Sequence, residues 1–153
     1  MKKVYLAGGL FNAGERLHNL FLEKHLRALG CEVILPQREA LNFFDGEKFD
    51  VNKIVADCQE KSTNSDSVYV GCIDGTDADS GAAVEYGLAI NTNGGAIVYR
   101  TDFRTEPTKE IGFNAMFRIK GTKIIYEPCF FTELSQVDDY YQKLARLIHE
   151  CIS

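Results

Sequence analysis

The stretch Asp74-Gly75-Thr76-Asp77-Ala78-Asp79-Ser80-Gly81-Ala82-Ala83-Val84-Glu85-Tyr86-Gly87 holds the densest set of groups able to do chemistry. Three aspartates precede a run of small residues, and a glutamate follows Asp79 by six positions. Charged side chains are costly to bury, yet Glu85 is flanked by Ala82, Ala83, Val84, Tyr86 and Gly87. The first turns of a helix favour negative charge. Asp79 at a helix start and Glu85 further along are therefore candidates to converge on one pocket. Two carboxylates in different environments can divide into a general acid and a nucleophile. A plainer reading stands beside this one. Asp79 or Ser80 caps the helix, Glu85 is solvated, and the small residues serve close helix–sheet packing or backbone approach to a ligand.

Tyr5 lies among apolar residues just before Gly8-Gly9. It reads as core, but a buried phenol needs a partner, and a site carboxylate is one candidate. Gly8-Gly9 is not a GxGxxG, and no GxxxxGK[ST] occurs, so dinucleotide and P-loop fingerprints are unmet. The three histidines, His18, His25 and His149, lie in helix-like segments, with no HExxH and no Cys/His cluster. The expectation is chemistry without metal or cofactor. Cys31, Cys58, Cys72, Cys129 and Cys151 are odd in number and contain no CxxC, so reduced thiols are expected rather than a disulfide framework.

The elements that must position these groups alternate. Lys3 to Ala7 reads as a first strand. Leu17, Leu20, Phe21, Leu26 and Leu29 recur near helical spacing and are closed by Gly30. Cys31 to Leu35 is a second strand, stopped by Pro36. Residues 37–50 read as a loop or lid with at most one helical turn. Asp50 caps a helix to about Ser62. Ser67 to Ile73 is a strand apolar enough to be buried on both faces. Gly81 to Ile90 is a helix, Gly95 to Tyr99 a strand, 101–113 polar and irregular, Lys123 to Tyr126 a strand, and Leu134 to Cys151 a closing amphipathic helix. This alternation predicts an α/β fold: a doubly wound, flavodoxin-like, five-stranded parallel sheet with helices on both faces. In such sheets ligands bind beyond the carboxyl ends of the strands, which points to the loops after strands 1, 3 and 4.

The chain has 153 residues, 45% hydrophobic and 25% charged, an ordinary globular composition for one domain over 1–153. A net charge of −5 argues against a general nucleic-acid or anionic-membrane binder. No run is apolar enough to span a membrane. The short apolar start at Val4 to Ala7 breaks at glycine and reads as a cytoplasmic start rather than a signal peptide.

Three blocks together resemble the nucleoside 2-deoxyribosyltransferases: Tyr5-Leu6-Ala7-Gly8-Gly9-Leu10-Phe11, Asp79-Ser80-Gly81-Ala82-Ala83-Val84-Glu85-Tyr86-Gly87 and Asn114-Ala115-Met116. That family shows an aromatic-Φ-x-G-x-Φ-F start, a DxGxxxE core and a late N-x-M, in this order. The resemblance implies that Glu85 is the nucleophile that attacks the anomeric carbon of a 2-deoxyribosyl group and displaces the base. A second base then attacks the covalent ester, with net retention. It implies that Tyr5 orients Glu85, that Asp79 binds the 5′-hydroxyl, and that Gly8 and Phe11 line the substrate site. Asn114 and Met116 match residues lent by a neighbouring subunit, so a homo-oligomer with shared sites is expected. The family's base-protonating aspartate sits on the helix before strand 3. Asp57 is the nearest carboxylate, displaced by one residue, with Cys58 at the ungapped position; Asp74 and Asp77 are the alternatives. Related deoxynucleoside monophosphate hydrolases carry serine where Asp79 stands, and an aspartate there would repel a phosphate dianion. The implied partners are small molecules, a free 2′-deoxynucleoside and a purine or pyrimidine base.

Two rival readings remain in view. One is a deoxynucleoside or deoxynucleotide N-glycosidase in which water replaces the acceptor base. The other is a non-catalytic nucleoside-binding module. Phe43 and Phe44 read as a base-stacking pair or as core under a lid, Gln37 and Arg38 as readers of base edges or as surface. Asp138 and Asp139 read as solvent-facing, and Tyr140 and Tyr141 as core or subunit interface.

Overall fold

The computed structural model of the chain describes residues 1–104 and 112–152. Lys109 and much of the irregular stretch expected at 101–113 lie outside the described residues.

Five strands form one parallel sheet: β1 (Lys2–Ala7), β2 (Cys31–Ile34), β3 (Ser67–Cys72), β4 (Ala96–Arg100) and β5 (Thr122–Tyr126), in the order β2-β1-β3-β4-β5. The helices are α1 (Ala13–Ala28), α2 (Pro36–Glu39), α3 (Val51–Thr63), α4 (Ser80–Asn93) and α5 (Val137–Ile152). This is the flavodoxin-like order expected from the alternation of strands and helices. The chain reverses its direction of winding between β1 and β3, so their carboxyl ends open a crevice there.

Strand alternation assigns the faces. Val4 and Leu6 join Leu22 and Leu26 of α1 and Leu144 and Ile148 of α5 in one core. Tyr5 and Ala7 point the other way, to a second core with Tyr69 of β3 and Ala82, Tyr86 and Ala89 of α4. Helix α3 packs beside α4 and against β3 on this second side.

Local chemistry sets the ends of the helices. Asn12 accepts the Glu15 N–H at 3.1 Å to start α1, Asp50 accepts the Lys53 N–H at 3.2 Å to start α3, and Asp79 accepts the Ala82 N–H at 2.9 Å to start α4. Gly94 ends α4 with a left-handed φ of 70°. Pro36, expected only to stop β2, also occupies the first position of α2, where its missing N–H costs nothing. The segment to Asp50 holds more structure than a loop with one turn: α2, a 3₁₀ turn over Ala40–Phe43, and a Phe44–Phe49 bridge with rings 4.7 Å apart.

Two phenols fasten α4. The Tyr69 hydroxyl donates to the Ala82 carbonyl at 2.6 Å, and the Tyr86 hydroxyl pairs with Thr122 Oγ1 at 2.6 Å. Gly71 makes room for the first of these, because a Cβ there would stand 2.6 Å from the Tyr69 hydroxyl oxygen.

Several polar residues flagged in the sequence prove to be structural. Arg38 grips the buried Glu23 with two bonds of 2.6 and 2.7 Å, and the buried Gln37 accepts from Asn19 at 2.9 Å. Neither is free to read a base edge. Asp138 faces solvent as expected, and from there it pairs with Lys24 and His25. Tyr140 donates to the Glu127 carbonyl at 2.6 Å. All five cysteines are free thiols. Among the described residues no helix is long and apolar enough to cross a membrane, and no three His, Cys, Asp or Glu side chains gather as a metal site.

Candidate active site

Glu85 sits one turn beyond Ala82 and one before Ala89, and both alanines face the sheet. The i, i+3 and i, i+4 rule places its carboxylate on the edge of that buried stripe. The Tyr5 side chain meets it from β1: the phenol donates to Glu85 Oε1 at 2.9 Å. Position 85 is therefore turned inward, and the solvated-helix reading fails. Burial raises the Glu85 pKa to about 7, aided by the negative charge of Asp79 and opposed by donors from Tyr5 and Cys58. Tyr5 is 1% exposed, and burial together with the neighbouring carboxylate drives its pKa upward, so it remains a donor.

Cys58 completes this group. Half-buried on α3, its thiol bears electrostatically on both the Tyr5 hydroxyl and the Glu85 carboxylate. Burial first, and the Glu85 and Asp57 charges next, push its pKa up against the Tyr5 hydrogen bond. Asp57 points elsewhere. It pairs with Lys61 at 2.9 Å, and Lys61 also holds Glu39 at 2.8 Å. One residue along a helix turns the side chain by about 100°, so Asp57 and Cys58 cannot share a direction. The carboxylate nearest in sequence to the expected acid position is thus not the side chain that meets Glu85.

Asp79 has two roles in the geometry. One carboxylate oxygen caps α4, and the side chain also lines a cavity of about 430 Å³ between the start of α1 and the loop from β3 to α4. Gly9, Asp74 and Asp77 line the same cavity; Tyr5 and Glu85 do not. The pocket therefore lies on the Asp79 side of the carboxylate pair. Asp74 is committed to the loop: it accepts the Thr101 and Asp102 backbone N–H groups at 2.6 and 3.2 Å, and the Thr101 hydroxyl. Asp102 in turn accepts from Gly75 N–H at 2.6 Å and from the buried Arg100 at 2.8 Å. Asp77 is exposed at the rim. Gly8 takes φ +153°, and a Cβ there would meet the Cys72 Cβ at 3.0 Å, so the turn out of β1 favours glycine.

The remaining expected residues lie apart from the pair. Phe11 is 78% exposed, and its N–H is held by Glu15 at 2.8 Å. Asn114 caps a 3₁₀ turn, accepting the Met116 N–H at 3.0 Å, and Met116 is 67% exposed. On its own chain neither reaches Glu85. Sequence reasoning passed over His18, which lines the cavity while its two ring nitrogens pair with Tyr141 and Tyr99 hydroxyls at 2.8 and 2.9 Å. Its position on α1, between Leu17 and Asn19, carried no signal of that pocket.

Fold and site together define a class: a flavodoxin-like α/β protein with a phenol-held, largely desolvated carboxylate beside its crevice and no glycine loop for phosphate. The model of the family described as nucleoside 2-deoxyribosyltransferase matches residues 4–116, and the chain belongs to that family. Two of the solved structures that share its fold are these. One is a conserved protein of Enterococcus faecalis V583, 21% identical, covering 99% of each chain with a TM-score of 0.71. The other is a 2-deoxyribosyltransferase of Bacillus psychrosaccharolyticus, 24% identical, covering 94% of this chain and 95% of that one with a TM-score of 0.63. A search of curated proteins found no match.

Proposed function

We propose that the protein is a cytoplasmic transglycosylase that exchanges the nucleobase of 2′-deoxynucleosides through a covalent deoxyribosyl ester on Glu85. The observation that carries this reading is the buried Tyr5–Glu85 hydrogen bond of 2.9 Å. A carboxylate removed from water is a stronger nucleophile, and a neutral phenol donor helps fix its orientation without neutralising it. In this reading Glu85 attacks C1′ from the face opposite the base and the base departs. An acceptor base then enters from the vacated face, so two inversions give retention. Asp79, one wall of the adjoining cavity, holds the 5′-hydroxyl. Its charge disfavours a 5′-phosphate. The exposed Asn114 and Met116 complete the site of a neighbouring copy, which makes the active form a homo-oligomer.

Mass spectrometry of the protein incubated with a 2′-deoxynucleoside and no acceptor tests this. The expected result is a deoxyribosyl adduct on the peptide containing Glu85, discharged by added base to a new nucleoside. Free base and free deoxyribose alone, with no new nucleoside when acceptor is supplied, would mean hydrolysis. Tight ligand binding without turnover would mean a binding module.

A further inference from the structure

The base-exchange reading, on which this inference rests, sets the substrate with C1′ at Glu85 and the 5′-hydroxyl at Asp79. Asp79 lines the cavity between the start of α1 and the β3–α4 loop, whereas Glu85 and Tyr5 do not. The space therefore opens beyond the 5′ position and not around the anomeric carbon. A hydroxyl group takes about the room of one water molecule, roughly 30 Å³. The cavity holds about 430 Å³, the size of a small-ligand pocket. Most of it stays unfilled by a plain deoxynucleoside.

The walls of this space carry one sign of charge. Gly9 lets the Glu15 carboxyl group lie over the turn out of β1, because a Cβ at position 9 would stand 2.5 Å from Glu15 Cδ. His18 has both ring nitrogens paired with tyrosine hydroxyls, and burial lowers its pKa, so its ring adds no charge. Asp74, Asp77 and Asp79 stand on the loop side. Among the described lining residues, Arg104 is the cation set against these carboxylates, and it already pairs with Asp102 at 3.3 Å.

We propose that this cavity is a subsite for a substituent carried on the 5′ carbon and ending in a positive charge, such as an ammonium group. A hydrogen kept at the 5′ position donates to Asp79, and the carboxylates beyond it attract the cation. An anionic end of the same length meets like charge from the same walls and is rejected.

The test measures kcat/KM for donors that share one base and differ at the 5′ carbon. The parent carries the hydroxyl; three others carry a 5′-amide of glycine, glycolic acid or malonic acid. Each amide keeps an N–H at the 5′ position and extends by a similar length, ending in ammonium, hydroxyl or carboxylate. The glycolyl donor should stay within about 10-fold of the parent, because the space admits it. The glycyl donor should exceed the glycolyl one by about 10-fold or more, and the malonyl donor should fall below it by about 10-fold or more. Asp77→Lys, which reverses one charge at the rim, should lower the glycyl-to-malonyl ratio by about 10-fold or more. That ratio is read within one protein, so a general loss of activity cancels. An unchanged ratio in Asp77→Lys would overturn the proposal. So would a wild type that uses the glycyl and malonyl donors alike, a result available even if the variant does not fold. Rejection of all three amides beside normal use of the parent would mean that the space is closed to substrate, which overturns the proposal and leaves the base-exchange reading standing. No exchange with the parent would overturn that reading and this inference with it.

Discussion

The two faces of the sheet use different residues to solve the same packing problem. The α1/α5 face is filled by Leu22, Leu26, Leu144, Ile148 and Val70, and its buried polar groups close on one another: His18 is bracketed by Tyr99 and Tyr141. The α4 face is built from tyrosines and alanines, and one of its phenols ends on a carboxylate. Branched aliphatic side chains hold a helix off the sheet at their own length. On the other face Ala82 and Ala89 turn short side chains inward, and the rings of Tyr5, Tyr69 and Tyr86 fill the space beside them. The lesson is that one side carries most of the apolar burial, and the other accepts a costly desolvated charge.

Four experiments probe that contrast. Glu85→Gln removes the proposed nucleophile and should lower base exchange by on the order of 10³-fold or more in a folded protein, measured by nucleoside chromatography and circular dichroism. Leu144→Ala, fully buried on the other face, should cost about 2–5 kcal/mol of stability by urea titration. The activity of its remaining folded fraction should stay close to wild type. Tyr5→Phe should reduce kcat by about 10- to 100-fold, the worth of a hydrogen bond to a charged group. It should also move the acid limb of the pH–rate profile upward, since the phenol's donation lowers the Glu85 pKa.

The fourth prediction concerns pH. With its folded pKa at about 7, Glu85 would have to lose its proton to act as the proposed nucleophile, so kcat/KM should rise with pH through 7. Stability runs the opposite way. The folded pKa lies above the ordinary unfolded value, so the folded state holds the proton more tightly. Stability from this group is complete below about pH 4.5 and is lost as pH rises toward 7. Glu85→Gln should therefore be more stable than wild type at pH 8, by about 1–3 kcal/mol, and should show less of this slope. A wild type whose urea midpoint is flat between pH 5 and 8 would remove the asymmetry between the faces.

Much of the site was legible because its signals were local. Strand alternation fixed the directions of Tyr5 and Val4, and the small residues around Glu85 marked a helix lying close to a sheet. The cap at Asp79 was legible too; the plainer reading of that residue and its place on a cavity wall both hold. What sequence alone could not decide was which polar groups would find partners far along the chain. Asp74 is consumed by Thr101 and Asp102, Arg38 by Glu23, and Asp57 by Lys61. Choosing a carboxylate over a thiol one step along α3 follows chemical type. Helical phase decides instead, and Ile54, Cys58 and Ser62 form the inward line.

The two phenols that tether α4 also act as stops against rotation. One reaches in from β3 to a carbonyl near the helix start; the other reaches out from the helix to the beginning of β5. Turning the helix about its long axis by a single position would break both and bring Val84 or Tyr86 to the spot now held by the carboxylate. The angular setting of the Glu85 carboxylate is thus guarded by two side chains that never touch it.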